Sequence, residues 1–127
     1  MINVWIPSQE EFELYREDCR RLYEGVQDKI CDTNSFDFIT RYTLFYLFET
    51  NASLIGAIYY FKDTDGRIFL NGFANRKMHM LCLECLKMSL DWFRGYVYAE
   101  AQNRASALCL LRCGFKRLQG KEFFIKL

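Results

Sequence analysis

The chain has almost no net charge. It carries 17 Lys and Arg against 16 Asp and Glu over 127 residues, a balance of +1. No broad field exists to draw in nucleic acid or an anionic membrane surface, so neither is expected as a partner. Proline occurs once, at Pro7, which argues against a disordered or linker-rich chain. Histidine also occurs once, so any mechanism using histidine must use His79. Long apolar runs are missing: residues 42–61 are the most apolar stretch, and Glu49, Thr50 and Asn51 interrupt it. That leaves no charge-free segment long enough to cross a bilayer. Walker loop, nucleophile elbow and Rossmann fingerprint are absent, and the turn at Asp63–Gly66 is too short for an EF-hand.

What is present points to one packed domain over residues 1–127. Aromatic residues make up 17% of the chain, and a chain of this length can bury roughly two thirds of the surface exposed when unfolded. Six cysteines are present. Residues 1–6 lack the basic start and apolar core of a signal peptide, so a reducing cytoplasm is the expected location. Cys82-Leu-Glu-Cys85 together with Cys109 and Cys113 offers four thiolates, and a zinc site is conceivable. Both pairs lie within apolar helical stretches, where cysteine more commonly serves as a small core residue.

The apolar pattern gives an order of elements. Residues 2–6 alternate as a first strand, and Ser8 with Glu11 forms an S-x-x-E capping box for a helix. Phe12, Tyr15, Cys19, Leu22, Tyr23 and Val26 make that helix's apolar stripe. Residues 28–40 are ambiguous, with one helical turn at 36–39. Residues 42–49 and 54–61 read as a hairpin, Asp63–Gly66 as a turn, and 67–73 as the next strand. Residues 77–93 read as a long helix, with Glu84, Lys87, Asp91 and Arg94 as its wet stripe and Gly95 as its stop. A strand at 96–101, a helix at 104–113 capped by Asn103, and two strands from Phe115 onward complete the chain.

The stretch Tyr96-Val-Tyr-Ala-Glu-Ala-Gln-Asn-Arg-Ala-Ser-Ala-Leu-Cys-Leu-Leu-Arg-Cys-Gly-Phe115 resembles the C-terminal signature of the GNAT acyltransferase superfamily. There a strand runs into an Asn, an Ala-rich helix follows, and a Gly-Phe pair opens the next strand. Ten residues separate Asn103 from Gly114-Phe115 here, the family's spacing. The resemblance implies an α/β (α+β) domain with a mixed, mostly antiparallel central sheet flanked by helices, in the order β-α-(α)-β-β-β-α-β-α-β-β. It further implies that the strands at 67–73 and 96–101 splay apart, and that the pantetheine arm of acetyl-CoA lies in the gap. Asn71, Arg76, Lys77, His79 and Asn103 are then the expected cofactor-binding residues. Glu100 is the expected base, and Ser106 or Cys113 the expected proton donor. Glu49 is a further available carboxylate.

Two positions depart from the family pattern. The run Arg76-Lys77-Met78-His79-Met80-Leu81 keeps the family's basic residue but places His79 and Leu81 where small residues would let backbone amides approach a pyrophosphate. Leu110 stands where many members carry a proton-donating Tyr. Two functions follow from the resemblance: an N-acetyltransferase moving an acetyl group from acetyl-CoA to a small or protein amine, or a degenerate GNAT-like scaffold working through protein contacts. The second is similar to small phage proteins of head assembly or the virion interior, for which phage structural proteins would be the partners and the host cytoplasm or virion the location. An open sheet edge could also pair two copies into a homodimer.

Overall fold

The computed structural model describes residues 1–127. Seven strands form one sheet in the order β1-β2-β3-β4-β5-β7-β6. β1 (Asn3–Trp5), β2 (Leu44–Thr50), β3 (Ser53–Lys62) and β4 (Ile68–Ala74) pair antiparallel, each with the next. β5 (Tyr96–Glu100) lies parallel to β4, and β7 (Glu122–Lys126) and β6 (Lys116–Gln119) close the sheet as an antiparallel hairpin. The single parallel pair follows from a helical crossover between β4 and β5, the connection that a parallel neighbour requires.

Aromatic side chains alternate along β2 and β3 and so furnish both faces of the sheet with core. On one face α1 (Phe12–Ile30) and α2 (Phe36–Tyr42) bury Phe12, Tyr23, Phe36, Phe45, Tyr59 and Phe73. On the other, α3 (Cys82–Leu90) and α4 (Arg104–Cys113) bury Leu86, Leu90, Leu110, Val97 and Phe123 around Tyr60. Fully burying one such large apolar side chain contributes about 1.5–3 kcal/mol, so these two layers dominate the stability of the domain.

Three local readings of the sequence change. The box of Ser8 and Glu11 does not form: Glu11 itself occupies the N-cap position of α1 and makes no side-chain cap. A turn after Pro7 uses the preceding residues instead, with the Gln9 side chain accepting from the Ile6 N–H at 2.8 Å. The ambiguous region resolves into the end of α1, which stops at a left-handed Cys31 (φ 52°), and α2, whose N-cap Ser35 accepts from Phe38 N–H. The long helix expected over 77–93 is shorter and starts later. Arg76–Leu81 is a 3-10 helix and α3 begins only at Cys82. Asn75 causes this, because its carbonyl takes the Met78 N–H at 2.9 Å and its side chain takes the Lys77 N–H at 3.2 Å.

Both sheet edges are poor templates for a further strand. β1 is three residues long. β6 exposes Lys116 and Arg117 and breaks register between Arg117 and Gln119. Short edges, edge cations and bulges all work against edge pairing, including that of a second copy.

Candidate active site at the parting of two parallel strands

β4 and β5 pair for three residues, Ile68 with Val97, Phe69 with Tyr98 and Leu70 with Ala99, and then separate. β5 ends at Glu100, whereas β4 continues to Ala74 and stays paired to β3 as far as Gly56. Residues 71–74 therefore have a strand on one side only. The Gly72 N–H is accepted by the Asn71 side chain at 2.9 Å, a local substitute for a missing neighbour. Two glycines hold β3 tightly against β4 here. A Cβ on Gly56 would lie 2.2 Å from the Phe73 carbonyl oxygen, and one on Gly72 would lie 2.9 Å from that of Ala57.

Strand alternation divides the site between the two faces of the sheet. Val97 and Ala99 point to α3 and α4 and are buried. Glu100 points to the α1 side, is exposed, and accepts from the Gln102 side chain at 3.2 Å. It borders a cavity of about 330 Å³ that is also walled by Ile30, Cys31, Asn71 and Glu122. Glu122 is the register partner of Glu100. Arg67 crosses the cavity floor, with its guanidinium 5.0 Å from the ring centres of Phe69 and Tyr98, and pairs with Asp63 at 3.0 Å and Glu122 at 3.3 Å. Burial pushes the Asp63 carboxyl up, but the Arg67 N–H and guanidinium outweigh it and hold the group below its ordinary range. Neither Glu122 nor Arg67 carries a motif. Their nearness to Glu100 depends on the β5–β7 register, and the run Glu122-Phe-Phe-Ile-Lys126 does not alternate in polarity, so no local pattern signals it.

On the opposite face, Asn103 caps α4 by accepting the Ser106 N–H at 2.9 Å. Gly114 ends the helix in a left-handed conformation (φ 105°), and Phe115 anchors the next segment in the core. Ser106 lies half-buried in the first turn and Cys113 half-buried in the last. Seven residues make nearly two turns, so both share one stripe of α4 but stand roughly 10 Å apart along its axis. Leu110, 6% exposed, fills the position between them. Burial, with Cys109 adding to it, pushes the Cys113 thiol up to about 11, so it keeps its proton at neutral pH. The sheet separates Glu100 from both Ser106 and Cys113, and the three are not brought together at one point. Glu49 is also removed from the split. It is buried beside α1 and accepts from the Tyr15 hydroxyl at 3.1 Å, from the Ala52 N–H at 3.2 Å and from Asn3.

Arg76, Lys77 and His79 lie exposed on the 3-10 turn that follows β4. The His79 ring is tied back to the Arg76 carbonyl at 2.9 Å. The amides of Lys77 and Met78 already have partners in Asn75, so the turn presents cationic side chains instead of a row of open N–H groups. Cys82, Cys85, Cys109 and Cys113 are free thiols on α3 and α4. Burial raises each of them, Cys85 to about 12.

No protein-family model and no curated protein sequence matches the chain. Solved structures do match it. An N-acetyltransferase from Staphylococcus aureus Mu50 superposes over 99% of this chain and 97% of its own, with a TM-score of 0.74 at 14% identity. A GNAT-family acetyltransferase from the same organism covers 99% of both chains with a TM-score of 0.65 at 12% identity. The aminoglycoside acetyltransferase AAC(6')-Ib, solved with coenzyme A, covers 99% of this chain and 95% of its own with a TM-score of 0.70 at 10% identity. At such identities the shared property is the arrangement of the chain. With its mixed seven-stranded sheet, paired helices on each face and parted parallel strands, the chain has the fold of the GNAT acetyltransferases.

Proposed function

We propose that this protein is an N-acyltransferase that takes an acetyl group from acetyl-CoA and places it on an amine. The observation that carries this reading is the parting of β4 from β5 after Leu70 and Ala99, which leaves residues 71–74 with a free edge. Such an edge suits the amide-bearing pantetheine arm, which can add to it as a strand does. Bound there, acetyl-CoA would supply a thioester whose carbon–sulfur bond breaks as the amine's nitrogen–carbon bond forms, releasing CoA thiol.

The side chains divide the remaining work by face. An amine entering from the α1 side meets Glu100, which can accept its proton directly or through water. Ser106, on the α4 side, is the available donor nearest the helix start, with Cys113 further along the same stripe. Holding the amine against the thioester contributes most in this arrangement, since orientation alone can account for several kcal/mol of barrier. Arg76 and Lys77 meet the pyrophosphate as cations, where a glycine-rich turn would use backbone amides. His79 flanks them, and Asn71 and Asn103 border the arm.

A second reading has its own observation. The 3-10 turn at Arg76–Leu81 has committed amides, and Leu110 offers no proton. Both favour a scaffold that keeps the fold and works through protein contacts, with phage head or virion proteins as the partner class implied by the sequence resemblance. Calorimetric titration of the reduced protein with acetyl-CoA, and with CoA as control, separates the two. Saturable binding supports transfer, and its absence at millimolar acetyl-CoA leaves only the scaffold.

A further inference from the structure

Two cavities lie side by side and share Cys31, Phe61 and Asn71 as walls, the smaller on the α1 face and the larger reaching round the end of the sheet to Tyr60, Ile68 and Phe93. The first, about 330 Å³, is the one at the split that holds Glu100 and Glu122. The second, about 860 Å³, runs from the loop after α1, beneath α2, to the start of β2. Its far corner exposes three large apolar side chains, Phe38 at 44%, Tyr42 at 70% and Leu44 at 55%. The Phe38 and Tyr42 rings stand 5.1 Å apart and form a continuous aromatic surface.

The trough is polarised along its length. At the split, Asp63, Glu100 and Glu122 face a single cation, Arg67. At the far end lie Arg41 and Lys62. Every ion pair in the molecule is made by Arg16, Arg20, Arg21 or Arg67, so Arg41 and Lys62 are unpaired. The one carboxylate lining that cavity, Asp32, is already occupied by the Tyr59 hydroxyl and the Asn34 N–H. Going from Glu100 on β5 to Lys62 on β3 takes two strand spacings, roughly 10 Å, and Glu100 lies about another 10 Å along the sheet from the level of Ile68, the register partner of Lys62. An extended chain rising about 3.3 Å per residue covers that path in about four to six residues.

We propose that the trough receives the N-terminal segment of a polypeptide. Its α-amine lies at the split beside Glu100 and Glu122. About four to six residues on, an acidic side chain meets Arg41 and Lys62, and an aromatic or large apolar one covers Tyr42 and Leu44. A small amine fills the first cavity only and leaves the second, with its two free cations, unused. The chemistry rests on the transferase reading: the α-nitrogen gains the acetyl carbon, CoA leaves as the thiol, and the ammonium proton passes to Glu100 or solvent. The peptide site itself does not depend on that step.

The test uses the full chain and the peptide Ala-Gly-Ala-Gly-Glu-Phe amide. Its comparators are the same peptide ending in Lys-Lys, the same peptide with a blocked N-terminus, and propylamine. Calorimetry without acetyl-CoA measures binding, and mass spectrometry with acetyl-CoA measures acetylation. The Glu-Phe peptide is expected to bind at least about 10-fold tighter than the Lys-Lys and N-blocked forms. Tyr42→Ala and Lys62→Glu should each weaken it about 5-fold while leaving acetyl-CoA affinity unchanged, and Leu14→Ala, on the distant face of α1, should change neither. Equal binding of the Glu-Phe and Lys-Lys peptides, or no peptide binding at millimolar concentration, overturns the proposal even if propylamine is acetylated. Peptide binding with this charge preference but no acetyl-CoA binding upholds the trough and removes the transferase reading instead.

Discussion

Glu100 and Glu122 stand directly opposite each other across the β5–β7 ladder, on the face where the split opens. Like charges in that relationship destabilise a sheet. Arg67 answers only the second of them, at 3.3 Å from Glu122. Glu100 has no cation and is held by the Gln102 side chain. A carboxylate kept in an unfavourable place at the mouth of a cavity suits a cationic visitor. Glu100→Gln is therefore expected to raise Tm by about 1–2 °C, from the relieved repulsion. The same change should lower kcat/KM for amine acetylation about 10- to 100-fold, as expected for loss of a general base. A variant that acetylates as well as the parent would remove Glu100 from the proton path, and one that loses stability would mean that the facing of Glu100 and Glu122 does not strain the sheet.

Which parts of this architecture the residues announced depends on how local their cause is. Asn103, Gly114 and Phe115 act within one helix and its ends, and each occupies the position its chemistry favours. The hairpin of β2 and β3 and the Asp63–Gly66 turn are equally local, and both form. Ser8 and Glu11 were misleading because the turn after Pro7 delays the start of α1. The 3-10 segment escaped a periodicity argument because its cause is one residue before it, Asn75, whose side chain looks like that of any loop asparagine. Glu122 and Arg67 were invisible for a different reason. Register across a long connection brings them beside Glu100, and no spacing in the chain encodes it.

The basic turn gives a prediction in which ionic strength is the diagnostic. Exposed cations meeting phosphates act through charge, and salt screens such contacts over about 10 Å at 0.1 M. Arg76→Glu is expected to weaken acetyl-CoA binding about 10-fold at 50 mM salt and by a smaller factor at 500 mM. The stability of the fold should hardly change, since the side chain is exposed. A loss of affinity equal at both salt concentrations would instead indicate a short-range, directional contact.

The glycine at position 56 tests the close packing that supports the free edge. A Cβ there would meet the Phe73 carbonyl oxygen at 2.2 Å and Ala74 Cα at 2.8 Å, both backbone atoms that cannot swing aside. Gly56→Ala should therefore force β3 and β4 apart and cost about 2–4 kcal/mol in urea unfolding. Gly25→Ala is the matched control. That glycine lies inside α1 with nothing within 4 Å of an added Cβ, so alanine should add about 0.5–1 kcal/mol through helix propensity. If the two substitutions have similar effects, the close approach of β3 and β4 is not a constraint on the fold.

Buried thiols and phenols make stability fall on the alkaline side. Burial raises Cys19, raises Cys85 to about 12, and raises the hydroxyls of Tyr59 and Tyr60. Each group has a folded pKa above its unfolded one, so its contribution is complete below the unfolded value and is lost as pH rises toward the folded value. For cysteine the loss begins near pH 8.5, and for tyrosine near pH 10. Above those points each group subtracts about 1.4 kcal/mol per pH unit, because the unfolded chain releases a proton that the folded chain retains. Under reducing conditions Tm should be flat from about pH 6 to 8, decline above about 8.5, and decline more steeply above about 10. Cys85 packs with Phe48 and Ile55 and is 3% exposed. Cys85→Val removes that thiol at similar volume, so its decline between pH 9 and 10 should be shallower than the parent's. A variant whose slope is unchanged would mean that Cys85 titrates alike in both states and is not sequestered by the β2–β3–α3 packing.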